Sequence, residues 1–292
     1  MFAFVTSLPH PANCSSYRDR SSMLRDTVAS MLRQSEPCVR AVVVANEEPD
    51  CVMPSDPRLE IVVVDFEPAG SPIGKPTATW AIYEDKGAKL AVGTAAAVRA
   101  GACHVMYADS DDYVHRDLAA FASREPDASG WFFDSGYFHV HGSRTVTLVE
   151  HDFHQRNGTS HILRSDLLGV PADLDSGLTR DEVLDELGRD RVVAIMGRHK
   201  PIVEAFEALG APLDRLPFPG AVAEVGTKEN FSRVLAARGR REPVQGRIAE
   251  EFGVPVSGRL EALRCEIATS RARLARRIAQ YGRGRSRRDD EV

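Results

Sequence analysis

Apolar residues fall into two rhythms along this chain. Met1–Leu8, Val39–Ala45, Leu59–Phe66 and His104–Ala108 are near-continuous apolar runs, each stopped by proline, glycine or acidic residues. Strands buried on both faces read this way. Between them, Met23, Leu24, Thr27, Val28, Met31 and Leu32 recur at helical spacing and predict an amphipathic helix over Ser21–Gln34. Lys86–Ala100 is Ala-rich and helical in pattern, with Gly101 placed to end it. The order strand, helix, strand, strand, helix, strand predicts an α/β fold with a mostly parallel sheet covered by helices. After Asp112 the rhythm changes. Trp131–Asp134, Tyr137–His141 and Thr145–Leu148 read as strands of a mixed region, and from Thr179 onward most segments read as helical. Ser257–Tyr281 reads as one long helix before an Arg/Gly tail.

In an open parallel sheet, ligands bind outside the carboxyl ends of the strands. The fourth apolar run ends there in Asp109-Ser110-Asp111-Asp112. Residues i and i+2 of an extended segment point the same way, so Asp109 and Asp111 present two carboxylates to one side. Two such carboxylates repel unless a cation joins them, and hard oxygen donors suit Mg2+ or Mn2+. The plainer alternative is an acidic turn with an aspartate capping a helix over Val114–Ala122.

Composition narrows the classes. The 292 residues carry a net charge of −5, so the chain as a whole is no nucleic-acid binder. No apolar run approaches the ~20 residues of a membrane helix. Met1–Leu8 has no basic stretch and no signal-peptide core, and the five cysteines are scattered with no CxxC, so a cytoplasmic location is expected. Charge is uneven: from Arg259 to the end there are ten arginines and five acidic residues, a net of about +5 that leaves the rest near −10. Gly70–Pro76 mimics a phosphate loop, but its spacing is one residue short and Pro76 replaces the required hydroxyl. No G-x-G-x-x-G follows the first run and no G-x-S-x-G occurs, against a dinucleotide enzyme and an α/β-hydrolase. The pairs His139/His141 and His151/His154 lack matched acids and read as structural. Asn157-Gly158-Thr159 and two similar triplets read as chance matches to the glycosylation signal.

Asp85-Lys86-Gly87-Ala88-Lys89, the Ala-rich helix, Gly101 and Val105–Asp112 together resemble nucleotide-sugar glycosyltransferases of the GT-A fold, close to family 2. Phe4–Pro11 and the helix after it fit the family's opening. A second patch runs from Gly197-Arg198-His199 through Leu216–Val222 to Asn230-Phe231-Ser232. The resemblance implies a GT-A-type, Rossmann-like, mostly parallel sheet with flanking helices, a mixed C-terminal half and a C-terminal helix. It implies three regions: 1–112 for the nucleotide sugar, 113–256 for the acceptor and the completion of the metal site, and 257–292 as a basic helix and tail. It further implies a donor site of Thr6, Asn46, Asp65, Lys86, Lys89, Asp109 and Ser110, and a Mn2+ or Mg2+ ion on Asp109, Asp111 and His199. The partners it implies are a nucleotide-diphosphate sugar and a hydroxyl acceptor.

An inverting transfer needs a carboxylate to take the acceptor's proton. Related sequences often carry an acid just before the histidine, where this chain has Arg198. Asp134, Asp152, Asp181 and Glu182 are the alternatives, with Asp181 ranked first. Rival readings are a sugar nucleotidyltransferase, disfavoured because Ser7–Tyr17 has no glycine, and an inactive GT-A-like scaffold. Leu260, Leu263, Ile267, Leu274 and Ile278 repeat at helical spacing among arginines, which fits a packed final helix or a peripheral membrane contact.

Overall fold

A computed structural model describes residues 1–70, 79–227 and 239–258. The expected C-terminal helix and tail from 259 onward, the Asn230-Phe231-Ser232 patch and most of the Gly70–Pro76 loop lie outside the described residues. The chain opens with β1 (Phe2–Ser7), α1 (Tyr17–Leu32), β2 (Val39–Ala45) and β3 (Leu59–Val63). Next come α2 (Thr79–Arg99), β4 (His104–Tyr107), β5 (Tyr113–Val114) and α3 (Leu118–Ala122). β6 (Gly130–Phe132), β7 (Gly136–Val140), β8 (Thr145–Val149) and β9 (His161–Arg164) follow. α4 (Arg180–Leu187), α5 (Arg189–Val192) and α6 (Ile202–Ala208) lead to β10 (Asp214–Arg215), β11 (Ala221–Val225), β12 (Arg241–Pro243) and α7 (Ala249–Phe252).

The central sheet has seven strands in the order β10-β6-β9-β4-β1-β2-β3. β3, β2, β1 and β4 run parallel, and β9 joins β4 antiparallel. The α/β class, the mostly parallel sheet and the flanking helices are therefore as expected. Alternate residues of β1 face opposite layers. Ala3 and Val5 pack with α2, whereas Phe2 and Phe4 pack with α1, through Leu24, Val28 and Met31. Ser16 starts α1 by accepting the amide of Asp19 at 3.1 Å. α2 lies close on the sheet because Gly93 has no side chain: a Cβ there would come within 2.4 Å of Val5 Cγ1.

The chain leaves β1 for β2 on one side, while β4 occupies the other. That divergence opens a crevice at the carboxyl ends of β1 and β4. A second sheet, in the order β12-β8-β7-β11-β5, closes over it. After Thr179 most elements are helical, as expected, with β10, β11 and β12 set among them. The helix of the plainer alternative, over Val114–Ala122, is divided between β5 and α3, because Tyr113 and Val114 pair with Val222 and Ala221 of β11.

Candidate active site

A cleft of about 280 Å³ lies at that crevice. Ser7 and Pro9 enter from the end of β1, Arg20 from α1, and Tyr83, Asp85 and Lys86 from α2. Asp109, Ser110, Asp111 and Asp112 form its floor beyond β4. Arg156, Asn157 and Gly158 close one wall, and His199 and Glu224 another.

The three aspartates have different partners. Asp109 is ion-paired with Lys86 Nζ. Burial pushes the Asp109 carboxyl up, but Lys86 more than reverses this and holds it below the ordinary range. Asp111 stands 3.5 Å from the Arg20 guanidinium. Its burial, with Asp109 and Glu224 nearby, outweighs Arg20 and raises its pKa to about 6. Asp112 is fully buried, and burial beside Asp111 and Asp109 raises it well above the usual carboxylate value. Three donors hold it: Thr159 Oγ1 at 2.5 Å, Asn157 Nδ2 at 2.9 Å and the backbone N–H of Glu224 at 2.9 Å. Thr159 Oγ1 also accepts the Asp109 amide at 2.9 Å. Gly158 permits this wrap, since a Cβ there would sit 2.8 Å from Asp109 Oδ2.

Glu224 is buried on β11, where Nδ1 of His139 lies 2.5 Å from one oxygen and Nδ1 of His141 2.7 Å from the other. Burial would raise its pKa, but the two imidazoles lower it below the ordinary value, so Glu224 is ionised at neutral pH. His139 also bonds the Ser143 carbonyl, and with Glu224 this raises its pKa despite burial. Burial and the nearby Lys86 lower His199 to about 4, against the opposing pull of Asp109 and a bond to the Gln155 backbone. His199 is thus neutral, and its Nε2 is buried without a hydrogen-bond partner.

Of the residues assigned from the sequence, Lys86, Asp109, Ser110, Asp111 and His199 come together at the cleft. The others do not line it. Thr6 is fully buried on the opposite face of β1 from Ser7. Asn46 is occupied in joining strands, donating to the carbonyls of Phe66 at 2.7 Å and Val64 at 3.3 Å. Asp65 is exposed beyond β3. Lys89 is fully buried and structural, bonding Asp85 at 2.8 Å and the Leu8 carbonyl at 2.9 Å. Asp181 is exposed on α4 and pairs with Arg189 at 3.0 Å, so no route to the cleft supports it as base. Glu182 serves the capping box of α4 with Thr179. Asp134 is buried under His151, Arg215 and the Asp152 amide.

The fit to the expected Mn2+ or Mg2+ ion turns on what already holds these residues. Among the described residues, no three His, Cys, Asp or Glu side chains are gathered to hold a metal. The donor types are right, but Asp109 is paired with Lys86 and Asp111 faces Arg20, so two cations of the chain stand where the ion would. A divalent ion there would meet both cations at close range, so as arranged these residues do not fit it.

Arg20, Glu224 and the Asn157-Gly158-Thr159 wrap went unrecognised in the sequence. In the sequence, Asn157-Gly158-Thr159 reads only as a chance glycosylation signal. Glu224 did leave a trace: one carboxylate inside the apolar run Ala221–Val225 demands a buried partner, and His139 and His141 supply it.

No protein-family model matches the chain, and no curated protein matches it. Among solved structures it is similar to S. aureus TarS 1–349 in complex with UDP-GlcNAc, at 14% identity, 78% of this chain, 59% of that one and a TM-score of 0.42. The galactosyltransferase LgtC, in complex with donor and acceptor sugar analogues, is 11% identical over 80% of this chain and 90% of its own, with a TM-score of 0.37. HddC from Yersinia pseudotuberculosis, complexed with GMP-PN, is 15% identical over 78% and 91%, with a TM-score of 0.30. The chain therefore spans less than two thirds of the TarS fragment.

Proposed function

We propose that the chain is a GT-A-type glycosyltransferase that moves a sugar from a nucleotide-diphosphate donor to a hydroxyl acceptor. The observation that carries this reading is the meeting of Asp109, Ser110 and Asp111 with Lys86 and Arg20 at the carboxyl ends of β1 and β4. The sequence resemblance implies donor binding at three of these, Lys86, Asp109 and Ser110. In the reaction the acceptor oxygen attacks the anomeric carbon, the bond to the diphosphate breaks, and the hydroxyl proton leaves. Negative charge grows on the departing diphosphate, and cations preorganised in the cleft stabilise it. Glu224 is the carboxylate best suited to take the proton: it lines the cleft and is ionised at neutral pH. A carboxylate has about four lone-pair sites, so the two imidazoles leave room for a hydroxyl. Glu224 thus replaces Asp181 in this role.

A thermal-shift screen of UDP, GDP, ADP, CDP and dTDP against their monophosphates tests the reading. A bound diphosphate stabilises the fold by about 2.7 kcal/mol at 100 times its Kd. We expect one base to raise the melting temperature as its diphosphate and far less as its monophosphate. No shift with any diphosphate, together with no hydrolysis of the corresponding nucleotide sugars, would sink it.

A further inference from the structure

A diphosphate brings at least two negative charges into a cleft already lined by Asp85, Asp109, Asp111, Asp112 and Glu224. A cation has to stand at that point, and one already does. Lys86 projects from α2, pairs with Asp109 and is attracted by Asp111 and Asp112. Its charge also reaches His199. These are the groups on which a divalent ion would depend. Lys86 lines the cleft with its side chain 28% exposed, unlike Lys89 one turn further on, which is sealed in the core. Arg20 stands against Asp111 at 3.5 Å, and three donors of the chain hold Asp112. A divalent ion seated on Asp109 and Asp111 would have to displace both cations and then face their repulsion at close range.

We propose that the Lys86 ammonium, supported by Arg20, is the resident cation of this site, so that the cleft takes a nucleoside diphosphate without a divalent metal. An ammonium has three donors and no acceptor. It can keep Asp109 on one side and receive a phosphate oxygen on the other. Asp109 then positions Lys86 instead of ligating a metal, and the Asp-Ser-Asp-Asp sequence serves as a counter-charge for the chain's own cations. This inference rests on the nucleotide-diphosphate reading above.

Titration calorimetry on the full chain with UDP, GDP, ADP, CDP and dTDP, once in EDTA and once in Mn2+, tests it. The expected result is that a diphosphate binds in EDTA and that Mn2+ changes its affinity by less than about threefold. Lys86→Met, checked for folding by its melting curve, should lose about tenfold or more of that affinity in EDTA. Wild-type binding that requires Mn2+, or Lys86→Met binding in EDTA as tightly as wild type, overturns the proposal and leaves the transferase reading intact. Failure of every diphosphate in both buffers removes the transferase reading, and this inference with it. The wild-type comparison stands even where the variant does not fold.

Discussion

Three aspartates within four residues behave as three different groups, because each has different neighbours. Lys86 holds Asp109 ionised, Asp112 is tied into a hydrogen-bonded network, and Asp111 is raised to about 6 by burial and by Asp109 and Glu224. The sign of the Asp111 effect on stability follows from linkage. Its folded pKa lies above the unfolded value of 3.8, so between about pH 4 and 6 the folded chain holds more protons than the unfolded one. Asp111 therefore costs stability increasingly as pH rises through that window. Asp111→Asn removes the titration. The difference in unfolding free energy, variant minus wild type, should grow in the variant's favour from pH 4 to pH 6.5 and then level off. Its limit is about 3 kcal/mol, the 2.2-unit rise from 3.8 to about 6 at 1.36 kcal/mol per unit. Urea melts at half-unit pH steps measure it. A flat difference would mean that Asp111 is as solvated in the folded chain as in the unfolded one.

Among the elements, those with a strong local pattern were legible and those defined by distant partners were not. β2 spans Val39–Ala45 as its apolar run foretold, and Gly101 ends α2 with a φ of +89°. β11 was missed because Ala221–Val225 follows a helical stretch and its pairing partners, β5 and β7, lie over 80 residues upstream. The same limit applies at the site. Asp109 and Asp111 could be read from their spacing, whereas Arg20, Asn157 and Glu224 reach the cleft only through tertiary packing. Thr6 stands one residue from the cleft, since strand alternation turns Ser7 to the cleft and Thr6 to the core. α2 carries a testable constraint of its own. Gly→Ala in a helix ordinarily gains about 0.5–1 kcal/mol. At Gly93 the new methyl would meet Val5 at 2.4 Å and Val44 at 2.9 Å, both buried in the sheet. Overpacking of this kind costs roughly 1–3 kcal/mol, so Gly93→Ala should be destabilising on balance. Chemical denaturation checks the sign, and a stabilised variant would show that α2 can lift from the sheet at no cost.

At the scale of the whole molecule, Asp112 is a polar junction between two sheets whose apolar residues also share one core. It follows β4 of the central sheet and accepts from Asn157 and Thr159 in the segment before β9. It also accepts from the Glu224 amide in the second sheet. Two sheets and one cleft wall therefore meet on one buried carboxylate. Asp112→Ala relieves a buried acid but leaves three donors unmet, at about 1–3 kcal/mol each. The donors outnumber the relieved charge, so we expect a net loss of roughly 3 kcal/mol in unfolding free energy. The loss should also be uneven in space. Amide exchange should accelerate first in Ala221–Val225 and across residues 156–160, while β1 and β2, buried among α1 and α2, keep most of their protection. Uniform acceleration would make Asp112 an ordinary core residue. Loss confined to the second sheet and the 156–160 wall would show that the cleft is held shut by this carboxylate, and that the sheets carrying Lys86's partners and Glu224 are coupled through it.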